Sequence, residues 1–181
     1  AHTGYAVIGL IAAGIGGASM LGAAGVLFYI FSYSIMTLGA FGVLHLLEGH
    51  ADSDLTVEDL KGLASEKPWV ALSLTVLLVS LAGIPPTLGF FGKFFIFSAA
   101  IKQGLVWMTI WGVIGSVISV YYYLRPVVAM YMEEPLISRA SVAMRPQSYF
   151  IVAFTALLVL VFGLASEPFY QAVLSSVAKV F

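Results

Sequence analysis

From Ala23 to Leu47 the chain runs without a single Asp, Glu, Lys or Arg, and that stretch decides which solvent the fold must face. About 20 apolar residues, rising about 1.5 Å each, cross a hydrocarbon layer roughly 30 Å thick. Further apolar runs follow from Pro68 to Ala82, Phe90 to Ile101, Gly104 to Met132 and Ser148 to Leu164. Over the whole chain 61% of residues are hydrophobic and 9% charged, against roughly 25% charged in soluble domains. A folded chain of 181 residues keeps too much surface to hide that apolar content from water. Lipid admits only structures that satisfy every backbone group internally, helices or closed barrels, and runs of this length select helices.

The expected architecture is therefore an all-α, polytopic transmembrane bundle, a single membrane domain over residues 1–181. Its spans fall at about 1–14 (partial), 23–47, 68–84, 88–102, 104–132 and 148–164. Ile15 to Gly22 reads as a short turn. Glu48 to Lys67 is polar and holds most of the acidic residues, and within it Thr56-Val-Glu-Asp resembles a capping box that opens a short surface helix. A second polar loop runs from Glu133 to Gln147, and Glu167 to Phe181 forms a short amphipathic tail. Arg125, Arg139 and Arg145 gather around the second loop, which the positive-inside rule assigns to the cytoplasmic side. With Ala1 first, no Met and no basic leader, the sequence reads as a C-terminal fragment of a longer protein.

Several functions are excluded early. The chain has no cysteine and three scattered histidines, so disulfides, thiolate clusters, haem attachment and a His-Glu-x-x-His metal site are all ruled out by composition. Eight Lys and Arg residues spread along a chain of net charge −1 cannot neutralise a run of phosphates, which removes nucleic acid as a partner.

The main irregularity is Gly83-Ile-Pro-Pro-Thr-Leu-Gly. Two adjacent prolines each remove a backbone donor and clash with the preceding turn, so the helix must break here. The freed carbonyls then need protein or trapped water around them. Lys93 follows the break, in Gly89-Phe-Phe-Gly-Lys-Phe-Phe. An ammonium in hydrocarbon costs about 2.5–3.5 kcal/mol on insertion scales, so it needs a partner, a hydrated cavity or the loss of its proton. The last option is what a proton carrier requires, and broken helices in transporters create such sites. The competing reading is a lysine that snorkels to the interface and anchors the span.

Other ionisable residues are weaker candidates. Lys102 lies nine residues on, about 13.5 Å along a helix, and is either an interfacial anchor or the exit of a proton path. His45, beside Glu48, reads as an interface histidine. His2 leads straight into an apolar run and is a second candidate relay. Tyr29, Tyr33 and Thr37 stand at i, i+4, i+8 on one helical face. Tyr33 and its neighbours there either bond adjacent helices or line a water chain. Tyr121, Tyr122 and Tyr123 suggest an aromatic belt at the headgroup boundary. Glu133, Glu134 and Glu167 look like solvated loop charges.

Several stretches together resemble one family, the antiporter-like membrane subunits of respiratory complex I. They are His2-Thr-Gly-Tyr, Phe28-Tyr-Ile-Phe-Ser-Tyr-Ser-Ile-Met-Thr-Leu-Gly-Ala-Phe, Asp59-Leu-Lys-Gly-Leu, Leu81-Ala-Gly-Ile-Pro-Pro-Thr-Leu-Gly-Phe-Phe-Gly-Lys-Phe and Tyr121-Tyr-Tyr-Leu-Arg. The resemblance runs to about residue 132 and implies the C-terminal half of such a subunit. It places Lys93 at the family's lysine on a broken helix in the second half-channel, and favours the branch with lysine rather than glutamate there. It also puts His2 on the family's hydrophilic axis. The glutamate and lysines of the family's first half-channel have no counterpart within these residues.

What the resemblance implies is a proton-translocating subunit of NADH-quinone oxidoreductase in a bacterial inner membrane, working with the other membrane-arm subunits, the lipid bilayer, protons and water. Flavin, iron-sulfur clusters and quinone are then expected on other subunits, with no cofactor or metal on this chain. The alternatives are a subunit of a multisubunit cation/proton antiporter and a purely structural membrane spacer.

Overall fold

The computed structural model describes residues 1–15, 19–48, 55–134 and 146–179. It is all-helical: α1 (His2–Gly14), α2 (Met20–Glu48), a 3-10 turn (Glu58–Leu60), α3 (Leu63–Glu66), α4 (Pro68–Ala82), α5 (Leu88–Lys102), α6 (Val106–Met132), α7 (Pro146–Leu164) and α8 (Ser166–Val177). α2 starts before Ala23, so Gly22 belongs to the helix rather than to the expected turn. The helix is opened by Ser19, whose hydroxyl accepts from the Gly22 N–H at 3.4 Å and whose carbonyl accepts from the Ala23 N–H at 3.1 Å, and the bare Gly22 lets it lie close against the main chain of Ala12 and Ala13 in α1.

α2 is the central post, packed on α1, α4, α5, α7 and α8. Phe28, Tyr29, Met36 and Val43 on it are fully buried. By length and composition α2 and α6 can each cross a membrane. α7 and α8 pass the same test as a pair bent by 80°. α8 is thus a helix folded back on the bundle, its Tyr170 ring stacked on Phe95 at 3.8 Å.

The outer surface is the apolar one. α6 buries Thr109, Gly112 and Ser119 but exposes Trp107 (76%), Trp111 (70%) and Ile118 (63%). In water such a helix would turn over; in lipid the polar and small side chains face inward, where neighbouring helices can bond or closely approach them. The chain is an integral membrane protein, and this inversion is its clearest physical mark. α6 also carries Pro126 within its length, whose missing N–H removes one helical hydrogen bond.

The expected capping box at Thr56 forms only in part. Both the backbone N–H and the hydroxyl of Thr56 donate to the Asp59 carboxylate, at 2.8 and 2.7 Å, but the element they open is the single 3-10 turn. Gly62 then adopts a positive φ of 69°, and its N–H donates to the Ala129 carbonyl of α6 at 3.1 Å. Lys61 pairs with Glu58 and, at 2.9 Å, with Glu133. Glu133 is thus a solvated charge, its side chain 43% exposed, that also clamps the loop to α6. The two carboxylates, Glu58 first, hold the Lys61 ammonium above its ordinary value of 10.5, so on the alkaline side the lysine keeps its charge into stronger base than a free one would. Arg139 and Arg145, on which the orientation rests, lie outside the described residues.

Candidate functional site

The site begins with a cap. Helix α4 ends at Gly83, whose φ of 85° is left-handed. Its N–H donates to Ser80 O at 2.9 Å, and the Ile84 N–H reaches back to Val79 O at 3.2 Å. These two bonds are the Schellman pattern. A helix leaves its last four carbonyls without intrahelical partners, and the cap accounts for those of Val79 and Ser80 alone. Those of Leu81 and Ala82 remain.

Lys93 takes both. Its Nζ donates to Ala82 O at 2.8 Å and Leu81 O at 3.1 Å, and to Ser116 Oγ of α6 at 3.0 Å. The reach follows from helix geometry: a long side chain on α5 leans toward its own helix N-terminus, which here means back across the break to the end of α4. The negative end of the α4 dipole favours the charge there. The residue is 5% exposed, and its ammonium lies 5.3 Å from the centre of the Tyr5 ring, within cation–π range. Lys93 and Ser116 border a crevice of about 300 Å³ between α5 and α6, with Gly83, Phe94 and Val117 on its walls. A Cβ on Gly83 would stand 2.8 Å from Nζ, so that position is kept bare for both its φ and the lysine.

The break is held shut by polar contacts of its own. Ser80 Oγ accepts from the Gly89 N–H at 3.1 Å and donates to Met36 Sδ at 2.9 Å. The Thr87 hydroxyl donates to Ile84 O at 2.6 Å. Pro85 and Pro86 sit between these fastenings, joined by a cis peptide bond.

A second cluster centres on His2. The ring is buried, with Nδ1 2.7 Å from the Tyr29 hydroxyl and Nε2 2.7 Å from the Tyr123 hydroxyl. In a neutral imidazole one nitrogen donates and the other accepts, whereas both donate in the cation. A tyrosine hydroxyl can do either, so His2 can gain or lose a proton with its heavy-atom contacts unchanged. Tyr33 stacks on the same ring at 4.7 Å. Tyr5 packs edge-on against His2 at 5.8 Å and Tyr29 at 6.1 Å. It is the side chain that lies against both clusters.

Of the residues singled out from sequence, Lys93, His2, Tyr29 and Tyr33 are brought into this neighbourhood. Thr37 is not part of it: its hydroxyl is buried with no hydrogen-bond partner. Lys102 is exposed at the far end of α5 and borders a separate cavity with Leu21, Ser98 and Tyr170. His45 is exposed near the end of α2. Tyr123 corrects the belt reading. Tyr121 is 77% exposed and suits a headgroup boundary, but Tyr123 turns inward to His2. Ser116 and Tyr5 were also missed. A signal existed: Thr109, Gly112, Ser116, Ser119 and Tyr123 recur at alternating steps of four and three, which marks one face of a helix.

Replacing Tyr123 by Phe should strand one imidazole nitrogen of His2, at a cost of about 1–3 kcal/mol for a buried group left unsatisfied. The expected result is a lower unfolding midpoint in detergent. The same substitution in a His2→Phe background should cost measurably less, which a double-mutant cycle reads directly.

Residues 1–119 match the family profile described as NADH:quinone oxidoreductase/Mrp antiporter, TM. The chain is 48% identical over 173 residues to NADH-quinone oxidoreductase subunit N of Bdellovibrio bacteriovorus, covering 96% of this chain and 35% of that protein. It is 48% identical over 136 residues to subunit N 2 of Roseiflexus castenholzii, covering 74% of this chain and 27% of the relative. It thus spans about a third of the length of such relatives. Among solved structures, it resembles a chain of respiratory complex I from Thermus thermophilus with a TM-score of 0.71 and 23% identity, over 95% of this chain and 44% of that one. A chain of the Mrp complex from a Dietzia species gives 0.79 and 18%, over 98% and 40%; both likenesses speak to fold alone. With two thirds of its residues matched by one profile, the chain belongs to the NADH:quinone oxidoreductase/Mrp antiporter transmembrane family.

Proposed function

We propose that this chain forms part of the proton-translocating membrane subunit of an NADH-quinone oxidoreductase, with Lys93 as the residue on which a proton is loaded and released. The observation that carries the reading is the seat of its ammonium: buried at a helix break, with two carbonyls and one hydroxyl as partners. An anchoring lysine would extend to the headgroups. A purely structural one would be expected to face a carboxylate, since buried charges are paired. Dipoles without a counter-charge hold a proton firmly enough to keep it and loosely enough to give it up when a charge arrives nearby. His2, with two tyrosine hydroxyls that can reverse their roles, is the next station in the same reading.

The relatives named as subunit N support the assignment to this enzyme. In it, NADH oxidation and quinone reduction belong to other subunits, which carry the flavin, iron-sulfur clusters and quinone. The present chain answers with proton movement, set among the other membrane-arm subunits in a bacterial plasma membrane. The fold likeness to a chain of an Mrp complex supports a second reading, a subunit of a multisubunit cation/proton antiporter.

Affinity purification of the tagged full-length subunit in mild detergent separates the two. The expected result is co-purification of flavin- and iron-sulfur-bearing subunits, and acidification of proteoliposomes driven by NADH and quinone. A preparation without redox subunits, in which a sodium gradient drives proton movement instead, would establish the antiporter.

A further inference from the structure

The ammonium of Lys93 has three N–H donors and meets three acceptors, which differ in kind. Leu81 O and Ala82 O are backbone carbonyls; Ser116 Oγ is a hydroxyl. A neutral amine keeps two N–H donors and gains a lone pair, which needs a donor opposite it. A carbonyl can never supply one. Ser116 can, because a hydroxyl both donates and accepts. Both states of Lys93 can therefore be satisfied without moving a heavy atom, provided the Ser116 hydroxyl turns over.

From this we infer that Ser116 is the door through which the Lys93 proton passes, an inference that rests on the proton-carrying role of Lys93. A second observation points to the same side. Ser116 borders, together with Lys93, the crevice of about 300 Å³ between α5 and α6, so space for a proton acceptor lies beside it.

The step balances as follows. One N–H bond of the ammonium breaks and its proton joins Ser116 Oγ. The hydroxyl's original proton leaves Oγ for a water molecule in the crevice that Lys93 and Ser116 border. Lys93 is left as a neutral amine and the water as hydronium, which passes the proton onward. The new O–H of Ser116, formed along the former N–H···O line, already points at the amine lone pair, and the hydroxyl turns over only when Lys93 is to be loaded again. The carbonyls of Leu81 and Ala82 hold the nitrogen in place throughout and exchange nothing.

The test uses the assembled complex, with full-length subunit, in proteoliposomes that report internal pH. Ser116→Ala removes the hydroxyl with little change of volume and favours the helix. Ser116→Thr keeps it. In Ser116→Ala, proton delivery per electron should fall at least tenfold, with the solvent deuterium isotope effect on the remainder clearly increased. Ser116→Thr should stay within about twofold of the parent. If Ser116→Ala pumps like the parent while Lys93→Met does not, Ser116 is no door and Lys93 keeps its role. Equal loss in the Thr variant would make the effect steric and overturn the inference. Pumping that survives in Lys93→Met would overturn the underlying reading of Lys93 itself.

Discussion

Replacing Lys93 by methionine is expected to abolish proton translocation while the subunit still assembles. Methionine has the length and flexibility to fill the space, and the lost partners are two carbonyls and a hydroxyl beside a crevice of about 300 Å³. Unsatisfied groups cost about 1–3 kcal/mol each where no water reaches them. That loosens the break without dissolving the bundle. The sharper comparison is Lys93→Arg. Arginine keeps the positive charge but does not surrender it in proteins, so an electrostatic anchor would accept it and a proton carrier would not. Both variants should therefore lose pumping, measured as internal acidification per NADH oxidised, and both should be recovered in the assembled complex. An Arg variant that pumps normally would reduce Lys93 to a fixed charge.

The second large effect is structural, at Gly89. A Cβ placed there would land inside the carbonyl oxygen of Ser80 and close to Met36 Sδ. The obstacle is main chain, already engaged in the Schellman cap, so no rotamer change relieves it. α5 would have to withdraw from α4, breaking the Gly89 to Ser80 hydrogen bond and carrying Lys93 away from its carbonyls. Overpacking in a filled core costs about 1–3 kcal/mol or more, and here it falls on the joint that positions the site. Gly89→Ala should yield little or no assembled subunit by native gel or by thermal unfolding in detergent. Gly42→Ala is the matched control. Gly42 is also helical, but a Cβ there meets nothing within 4 Å. The substitution should be neutral or stabilising by about 1 kcal/mol. Equal behaviour of the two variants would mean that close approach at the break does not matter.

The helices were legible in sequence because lipid imposes a simple rule, long apolar runs bounded by charge, and α2 and α6 obey it. The break was equally plain, since two prolines admit no continuous helix. Lys93 drew notice through its rarity, its place just after the break and the family resemblance. Its partners could not be read, because they are backbone atoms and depend on the left-handed turn at Gly83 and on where α6 comes to rest. His2 and Tyr33 were selected by polarity in an apolar setting, but Tyr123, the partner of His2, sits some 120 residues from it in a triplet that looks interfacial. The i, i+4, i+8 stripe on α2 shows the limit of periodicity. It establishes that Tyr29, Tyr33 and Thr37 share a face, not that one neighbour meets all three. On α6 the opposite error occurred: serine, threonine and glycine are individually weak signals, and only their alternating steps reveal an inward polar seam. The capping box at Thr56 formed its hydrogen bonds, but Gly62 turned the chain before a longer helix could grow.

The seat of the lysine has one property that side-chain sites lack. Its two fixed acceptors belong to the peptide units of Leu81 and Ala82, which every residue type would present equally. A side-chain change at Leu81 or Ala82 can crowd the entrance, but it leaves these two acceptors in place. Lineages that exchange the cation for another group inherit an intact receptacle, and a lost amine could be restored by a single codon change.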